Sequence, residues 1–249
     1  MSFNLFNLRE FEQYISKLNV NRKIKLVQLH HTYSPNYGHF NGANHIKLQE
    51  GMRNYHVNSN GWSDIGQHFT IFPDGKICTG RSMDLSPAGI KGANTGAICI
   101  ECLGNFDKGG DVMNDAQKNA IVGTVRILLD KFNLNAEDHV TYHAWWASDG
   151  REIGDYVKGH SVKTCPGTNF FGGNSLTSYH NNLMPLINNY GKTDKVILET
   201  GNDIVWELMN GRYKIEISEV KRAIKALDKA KTSEEFCPLY WMIYKIVNK

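Results

Sequence analysis

The sequence contains no apolar run approaching the ~18 residues that a membrane-spanning helix needs, which argues against membrane insertion. An excess of charge of one sign is also lacking. Lys and Arg number 28 against 25 Asp and Glu, for a formal net charge of +3, and no basic run or basic helix stands out. Nothing therefore points to nucleic acid as a partner. Cysteine is scarce and ill-matched: the five residues Cys78, Cys99, Cys102, Cys165 and Cys237 are odd in number and irregularly spaced, which argues against a disulfide framework. Cys99 and Cys102, three apart in a strand-like run, face opposite sides, cannot chelate together and read as packing residues. Internal repeats and low-complexity segments are absent. The opening segment "MSFNLFNLREFEQYISKLNVNRKIK" lacks a basic n-region, a continuous apolar h-region and a small-residue cleavage site, and reads as a short amphipathic helix. The expectation is synthesis in the cytoplasm without a signal peptide, any export then needing a non-Sec route or lysis.

What is present is an ordinary globular composition, 41% hydrophobic and 21% charged, enough apolar residues to build a core. The pattern is mixed α and β. Residues 8–18 carry helical spacing, and "KIKLVQLHH" (23–31) is an apolar strand ending in two histidines. Helical periodicity returns over 46–59. "GQHFTIFPDGKICTGRS" (66–82) reads as two short strands around the turn Pro73-Asp74-Gly75. "TGAICIECLG" (95–104) is a buried strand. Over 115–132 a helix is expected to place Ala116, Ala120, Val125, Leu128, Leu129 and Phe132 on one side. "HVTYH" (139–143) is a strand that again ends in histidine, and 175–190 looks helical. Around Gly191 the character changes, giving a large domain over 1–190 and a small α+β domain over 191–249. That second segment carries two helical patterns and the apolar stretch "LYWMIYKIV", which suits helix packing or dimerisation, or closure of its own core.

Within "KTCPGTNFFGG", Cys165 can be read as a buried hydrophobe, a nucleophile, half of a disulfide or a metal ligand. As a nucleophile it is poorly served, because Pro166 removes the following backbone N–H as an oxyanion donor. A catalytic zinc site takes three His, Cys or carboxylate ligands and leaves one position open. Two strands end in histidine and a loop ends in Cys165, so His30 or His31, His143 and Cys165 together make a His₂Cys set, its histidines on rigid strand ends. Strand alternation puts His30 on the face of Leu26 and Gln28, opposite Val27 and Leu29, which does not by itself choose between His30 and His31. Each piece alone is more often structural; only the three together favour a metal.

The stretches "LVQLHHTYSP", "MRNYHVNSNGWSDIGQHFTIFPDGKICTGR", "NTGAICIECLGNF", "DAQKNAIVGTVRILLDKF", "HVTYHAWW" and "KTCPGTNFF" resemble, in order and spacing, the zinc-dependent N-acetylmuramoyl-L-alanine amidases. That family includes phage amidase endolysins and the peptidoglycan recognition proteins, and the resemblance covers about residues 23–190. It implies an α/β fold with a mixed central β-sheet flanked by helices. It implies Zn2+ held by His30, His143 and Cys165, and peptidoglycan as substrate. His143 and Cys165 stand 22 residues apart, a wider gap than the family's, so either the loop is enlarged or His160, five residues before the cysteine, is the ligand. His143 is favoured because it follows the helix-then-strand order.

Where some family members carry a catalytic tyrosine, this chain has Gln67, which is neither acid nor base. The resemblance offers Glu101 in "GAICIECLG" as general base instead. A carboxylate inside an apolar strand is costly to bury without a partner or a task, the bland alternative being a pair with an arginine such as Arg81. Lys163 matches a lysine that stabilises the oxyanion in some members, a surface lysine being its alternative. Gln67, His68 and Trp145 are expected to face substrate, with Trp146 and Tyr156 edging the groove; His68 is equally readable as structural. The implied activity is hydrolysis of the amide between the lactyl group of N-acetylmuramic acid and L-alanine. An endolysin released by holin-type lysis or an autolysin would carry it out. Competing readings are a peptidoglycan-binding protein that does not cleave and a cytoplasmic amidase that recycles wall fragments. The resemblance implies wall binding as a role for the C-terminal segment, and homodimer formation is placed there as the alternative.

Overall fold

The computed structural model describes residues 3–191. Six strands form one mixed sheet: β1 (Leu5–Phe6), β2 (Leu26–His31), β3 (Phe69–Ile71), β4 (Ile77–Thr79), β5 (Ala97–Cys102) and β6 (Val140–Tyr142), in the order β1-β4-β3-β5-β2-β6. β5 runs parallel to both β2 and β3, and β2 parallel to β6, whereas β3–β4 and β4–β1 are antiparallel. A strand flanked on both sides by parallel neighbours is covered on both faces and reads as a nearly unbroken apolar run. β5 obeys this: Ala97, Ile98, Cys99, Ile100 and Cys102 are buried, and Glu101 is its single polar residue.

Register assigns the faces. Leu29 pairs with Ile100 and Ile100 with Phe69, so these three share one face; His30 pairs with Glu101 and Glu101 with Thr70, so those share the other. On the first face Phe11 of helix α1 (Leu8–Lys17) meets Phe69 edge-on at 5.0 Å, and α1 packs beside helix α3 (Asp115–Lys131). α1 starts where it does because Asn7 and Glu10 form a reciprocal capping box, the Asn7 side chain accepting from the Glu10 N–H and Glu10 accepting from the Asn7 N–H. Its buried Phe11 and Ile15 stand one helical turn apart. Helix α2 (His45–Asn58) borders the cavity on the polar-bearing face.

Two expectations need correction. The helix expected over 115–132 forms, but Ala116 is exposed and Phe132 only half-buried; the fully buried Gln117 takes the inward position instead. Its Nε2 donates to the Ile71 and Leu103 carbonyls and its Oε1 accepts from the Tyr37 hydroxyl, so a polar side chain there closes the ends of two strands. The opening segment also holds a second element besides its helix. Leu5–Phe6 adds a two-residue edge strand to β4, too short to leave a periodic signature. The small domain at 191–249 and the dimerisation placed on it lie, Gly191 apart, outside the described residues. Among the described residues no helix is long and apolar enough to cross a membrane.

Candidate metal centre and groove

His30 comes from the end of β2 and His143 from the turn that follows β6, its immediate neighbour in the sheet. Cys165 arrives on a loop that is fastened in place on several sides. The Ala144 N–H donates to the Cys165 carbonyl at 2.7 Å, Asp107 accepts from the Thr164 hydroxyl and the Thr168 N–H, and Asn174 Nδ2 donates to the Thr164 carbonyl. One ligating atom each from His30, His143 and Cys165 falls within 4.8 Å of the others, and all three residues are buried. His30 Nδ1 lies 3.5 Å from Cys165 Sγ, and the His30 and His143 rings meet edge-on at 5.0 Å.

The wide gap between His143 and Cys165 is an excursion that leaves and returns at one place. Ala147 bridges Ser161, and the Val162 N–H donates to the Trp146 carbonyl at 2.9 Å. His160 lies exposed within that excursion and is not part of the cluster. Of the paired histidines, His30 joins the cluster. His31 accepts at Nδ1 from the Phe106 N–H, while its own backbone N–H points at Cys165 Sγ at 3.4 Å.

The electrostatics of the cluster follow from burial. Desolvation holds His30 well below its ordinary pKa and His143 at about 4, so both imidazoles are neutral with a lone pair to offer. Burial, with the Glu101 charge adding to it, pushes the Cys165 thiol well above its ordinary value. Two neutral nitrogens and a sulfur held close together are the donor chemistry of a three-ligand zinc site. A bound cation would supply the charge that a thiolate there requires, so the residues fit the metal.

Glu101, the sheet neighbour of His30, lines the same cavity of about 1000 Å³. Burial raises its carboxyl to about 8, opposed by the charge of Lys163, and its Oε2 is buried without a hydrogen-bond partner. Arg81 is not that partner: its guanidinium donates to the carbonyls of Ile65, Ser86 and Asp64. Lys163 is exposed on the cavity wall. Gln67 also lines it, 1% exposed. Its Nε2 donates to Thr70 Oγ1 at 3.0 Å, while its Oε1 is buried and unpartnered.

Four residues expected at the groove lie elsewhere. Trp145 is 4% exposed; its ring stacks on Tyr142 at 4.5 Å and its Nε1 donates to the Asn174 carbonyl, so it belongs to the core beneath the cysteine loop. Trp146 is buried likewise, bonded to Thr141 Oγ1. A tryptophan read as a loop-tip residue is instead pulled inward by its large apolar area, because its N–H finds a partner there. His68 is fully buried away from the large cavity, accepting at Nδ1 from the Cys99 N–H and donating from Nε2 to the Leu85 carbonyl. That is the structural alternative. Tyr156 is not among the cavity's lining residues either.

The groove aromatics are others. Tyr33, Tyr55 and Trp62 line the cavity, and the His56 ring lies against Trp62 at 4.7 Å, tilted by 34°. These residues sit in quoted motif stretches, but nothing in their spacing distinguishes a groove aromatic from a core one.

A sheet of this topology carrying a His-His-Cys cluster at the carboxyl ends of parallel strands, under an open groove, defines a protein with a candidate metal site rather than a bare scaffold. The model of the N-acetylmuramoyl-L-alanine amidase family matches residues 20–168, and the chain belongs to that family. Peptidoglycan-recognition protein SC2 of Drosophila melanogaster is 27% identical over 166 residues, covering 67% of this chain and 79% of that protein. Among solved structures, Drosophila peptidoglycan recognition protein SA shares the fold with a TM-score of 0.51 at 20% identity, over 67% of this chain and 83% of that one. The N-acetylmuramoyl-L-alanine amidase LysC from Clostridium intestinale URNW is 26% identical over 61% of this chain and 83% of its own, at a TM-score of 0.45.

Proposed function

We propose that the chain is a zinc-dependent peptidoglycan hydrolase. It cleaves the amide between the lactyl group of N-acetylmuramic acid and L-alanine of the stem peptide, as an endolysin or autolysin acting on the wall after release. The observation that carries this reading is the placement of His30, His143 and Cys165 as one donor cluster, beside the unpartnered carboxyl oxygen of Glu101 in the same cavity. Zinc, when held by these three residues, supplies Lewis acidity that polarises a carbonyl and makes water a better nucleophile.

The chain's own residues do the remaining work. Glu101, with a carboxyl raised to about 8, is matched to proton transfer near neutral pH; it takes the proton of the attacking water and passes it to the departing amine. Lys163 brings a cation to the cavity wall, where charge develops on the carbonyl oxygen. Gln67 Oε1 offers an acceptor to a substrate N–H. Trp62 and Tyr55 give apolar faces to glycan and peptide.

A second reading, a peptidoglycan-binding protein that holds zinc without cutting, draws on Gln67, which brings no proton to the site. One experiment separates them. Purified peptidoglycan is incubated with the wild-type protein and with Cys165→Ser and Glu101→Gln variants, and new N-terminal alanine and reducing sugar ends are counted. Alanine amino groups without new reducing ends, lost in both variants, are expected. Zinc and peptidoglycan binding without any release by the wild type would establish the binding protein instead.

A further inference from the structure

Gln28 lies two residues before His30 on the same strand and, by alternation, on the same face. It is fully buried. Its side-chain amide has one determined orientation, because Nε2 donates to the Ala93 carbonyl at 2.9 Å, and a carbonyl can only accept. The other end of the amide, Oε1, therefore faces His30 Nε2, 3.4 Å away. Oε1 can only accept, so the imidazole nitrogen beside it must carry the proton. A neutral imidazole protonated at Nε2 has its lone pair at Nδ1, the nitrogen that lies 3.5 Å from Cys165 Sγ.

The loop over this contact is shaped to allow it. Asn94 Oδ1 accepts from both the Gly89 and Ile90 N–H groups at 3.0 Å, drawing residues 89–94 into a closed turn that presents the Ala93 carbonyl to Gln28. Gly89 passes so close that a Cβ there would stand 2.3 Å from Gln28 Oε1, 3.2 Å from His30 Nε2 and 3.1 Å from Cys99 Sγ. No side chain fits, and none is present.

We propose that Gln28 is the positioning residue for the metal edge of His30, holding the imidazole in the tautomer whose Nδ1 is free to bind a metal. A ligating histidine commonly donates its second N–H to a fixed acceptor, and losing such a partner typically weakens metal binding by about 10–100-fold. The inference rests on the metal reading above but not on hydrolysis, so its test reads the metal and the ring.

Metal-free wild type and the Gln28→Met and Gln28→Glu variants are titrated with zinc against a chromophoric chelator. The His30 tautomer is read from ring-nitrogen chemical shifts in the metal-free proteins. Methionine has nearly the length of glutamine but lacks the acceptor. It is expected to weaken zinc binding about 10–100-fold and to leave His30 as a mixture of tautomers. Glutamate restores an acceptor and is expected to keep the Nε2-protonated ring and zinc affinity within about threefold of wild type. Zinc affinity unchanged in Gln28→Met would overturn the proposal. Should that variant fail to fold, the wild-type tautomer decides, and a His30 ring protonated at Nδ1 would overturn it. A chain that binds zinc but releases no alanine leaves this inference standing and removes only the amidase. A wild type that binds no zinc removes both.

Discussion

Cys165 Sγ lies 3.5 Å from His30 Nδ1, although 135 residues of chain separate them. The contact depends on the loop tethers described above, and the sulfur is the donor whose chemistry most favours zinc. Cys165→Ser exchanges a soft thiolate for a hydroxyl that resists ionisation. Zinc affinity should fall by at least about 100-fold, the upper range for losing an outer-shell partner alone. A chelator competition titration measures it. In the wild type, chelation should abolish amide hydrolysis and added zinc should restore it; activity that survives chelation would return Cys165 to the list of candidate nucleophiles.

Glu101→Gln keeps the shape of the side chain and removes its capacity to carry a proton. Turnover on peptidoglycan should fall by about 10²–10⁴, the usual contribution of general acid–base catalysis. Bound zinc, measured by metal analysis of the purified variant, should remain at the wild-type level. An unchanged rate would place proton transfer elsewhere.

Trp145 and Trp62 should separate cleanly. Trp145 is buried against Tyr142 and Tyr179, so Trp145→Ala should destabilise the fold by about 3–5 kcal/mol, seen as a lowered urea midpoint. Trp62 lines the groove and is partly exposed, so Trp62→Ala should act chiefly on KM for wall fragments. A KM effect from Trp145→Ala with unchanged stability would contradict its core placement.

His68 gives the protein an acid sensitivity of known sign. Burial, aided by Arg22 and Arg81, depresses its pKa to about 3, while in the unfolded chain it titrates at about 6.5. The unfolded state thus binds a proton that the folded state refuses. The stability His68 contributes is complete above pH ~6.5 and is lost progressively as pH falls towards about 3. His68→Asn should reduce the slope of stability against pH in that window by up to about 1.4 kcal/mol per unit, one proton's worth. Urea midpoints of the chelated proteins between pH 7 and 4 test this; identical slopes would show that His68 protonates freely in the folded state. His30, His31 and His143, also depressed by burial, add slope of the same sign in both proteins.

The longer strands, the long helix over 115–131 and the turn at Pro73-Asp74-Gly75 were legible in the sequence, as was a set of two histidines and Cys165 in which the residues alone left His30 or His31 open. Each leaves a local signature, whether an apolar run, a 3.6-residue period, turn chemistry or a strand-end ligand type. The two-residue edge strand left none. Neither did the inward turn of Gln117, which depends on the carbonyls of Ile71 and Leu103 being within its reach. The ambiguities in the site were of the same kind. Spacing could not choose between His143 and His160, because only the bridge between Ala147 and Ser161 removes the intervening residues from the path. Composition could not place Trp145 in the core and Trp62 in the groove, because both rings have the same apolar demand and only packing decides which one is covered. Local order is written in neighbouring residues, but which polar atoms face each other across the sheet is decided by register, and register exists only once the chain has folded.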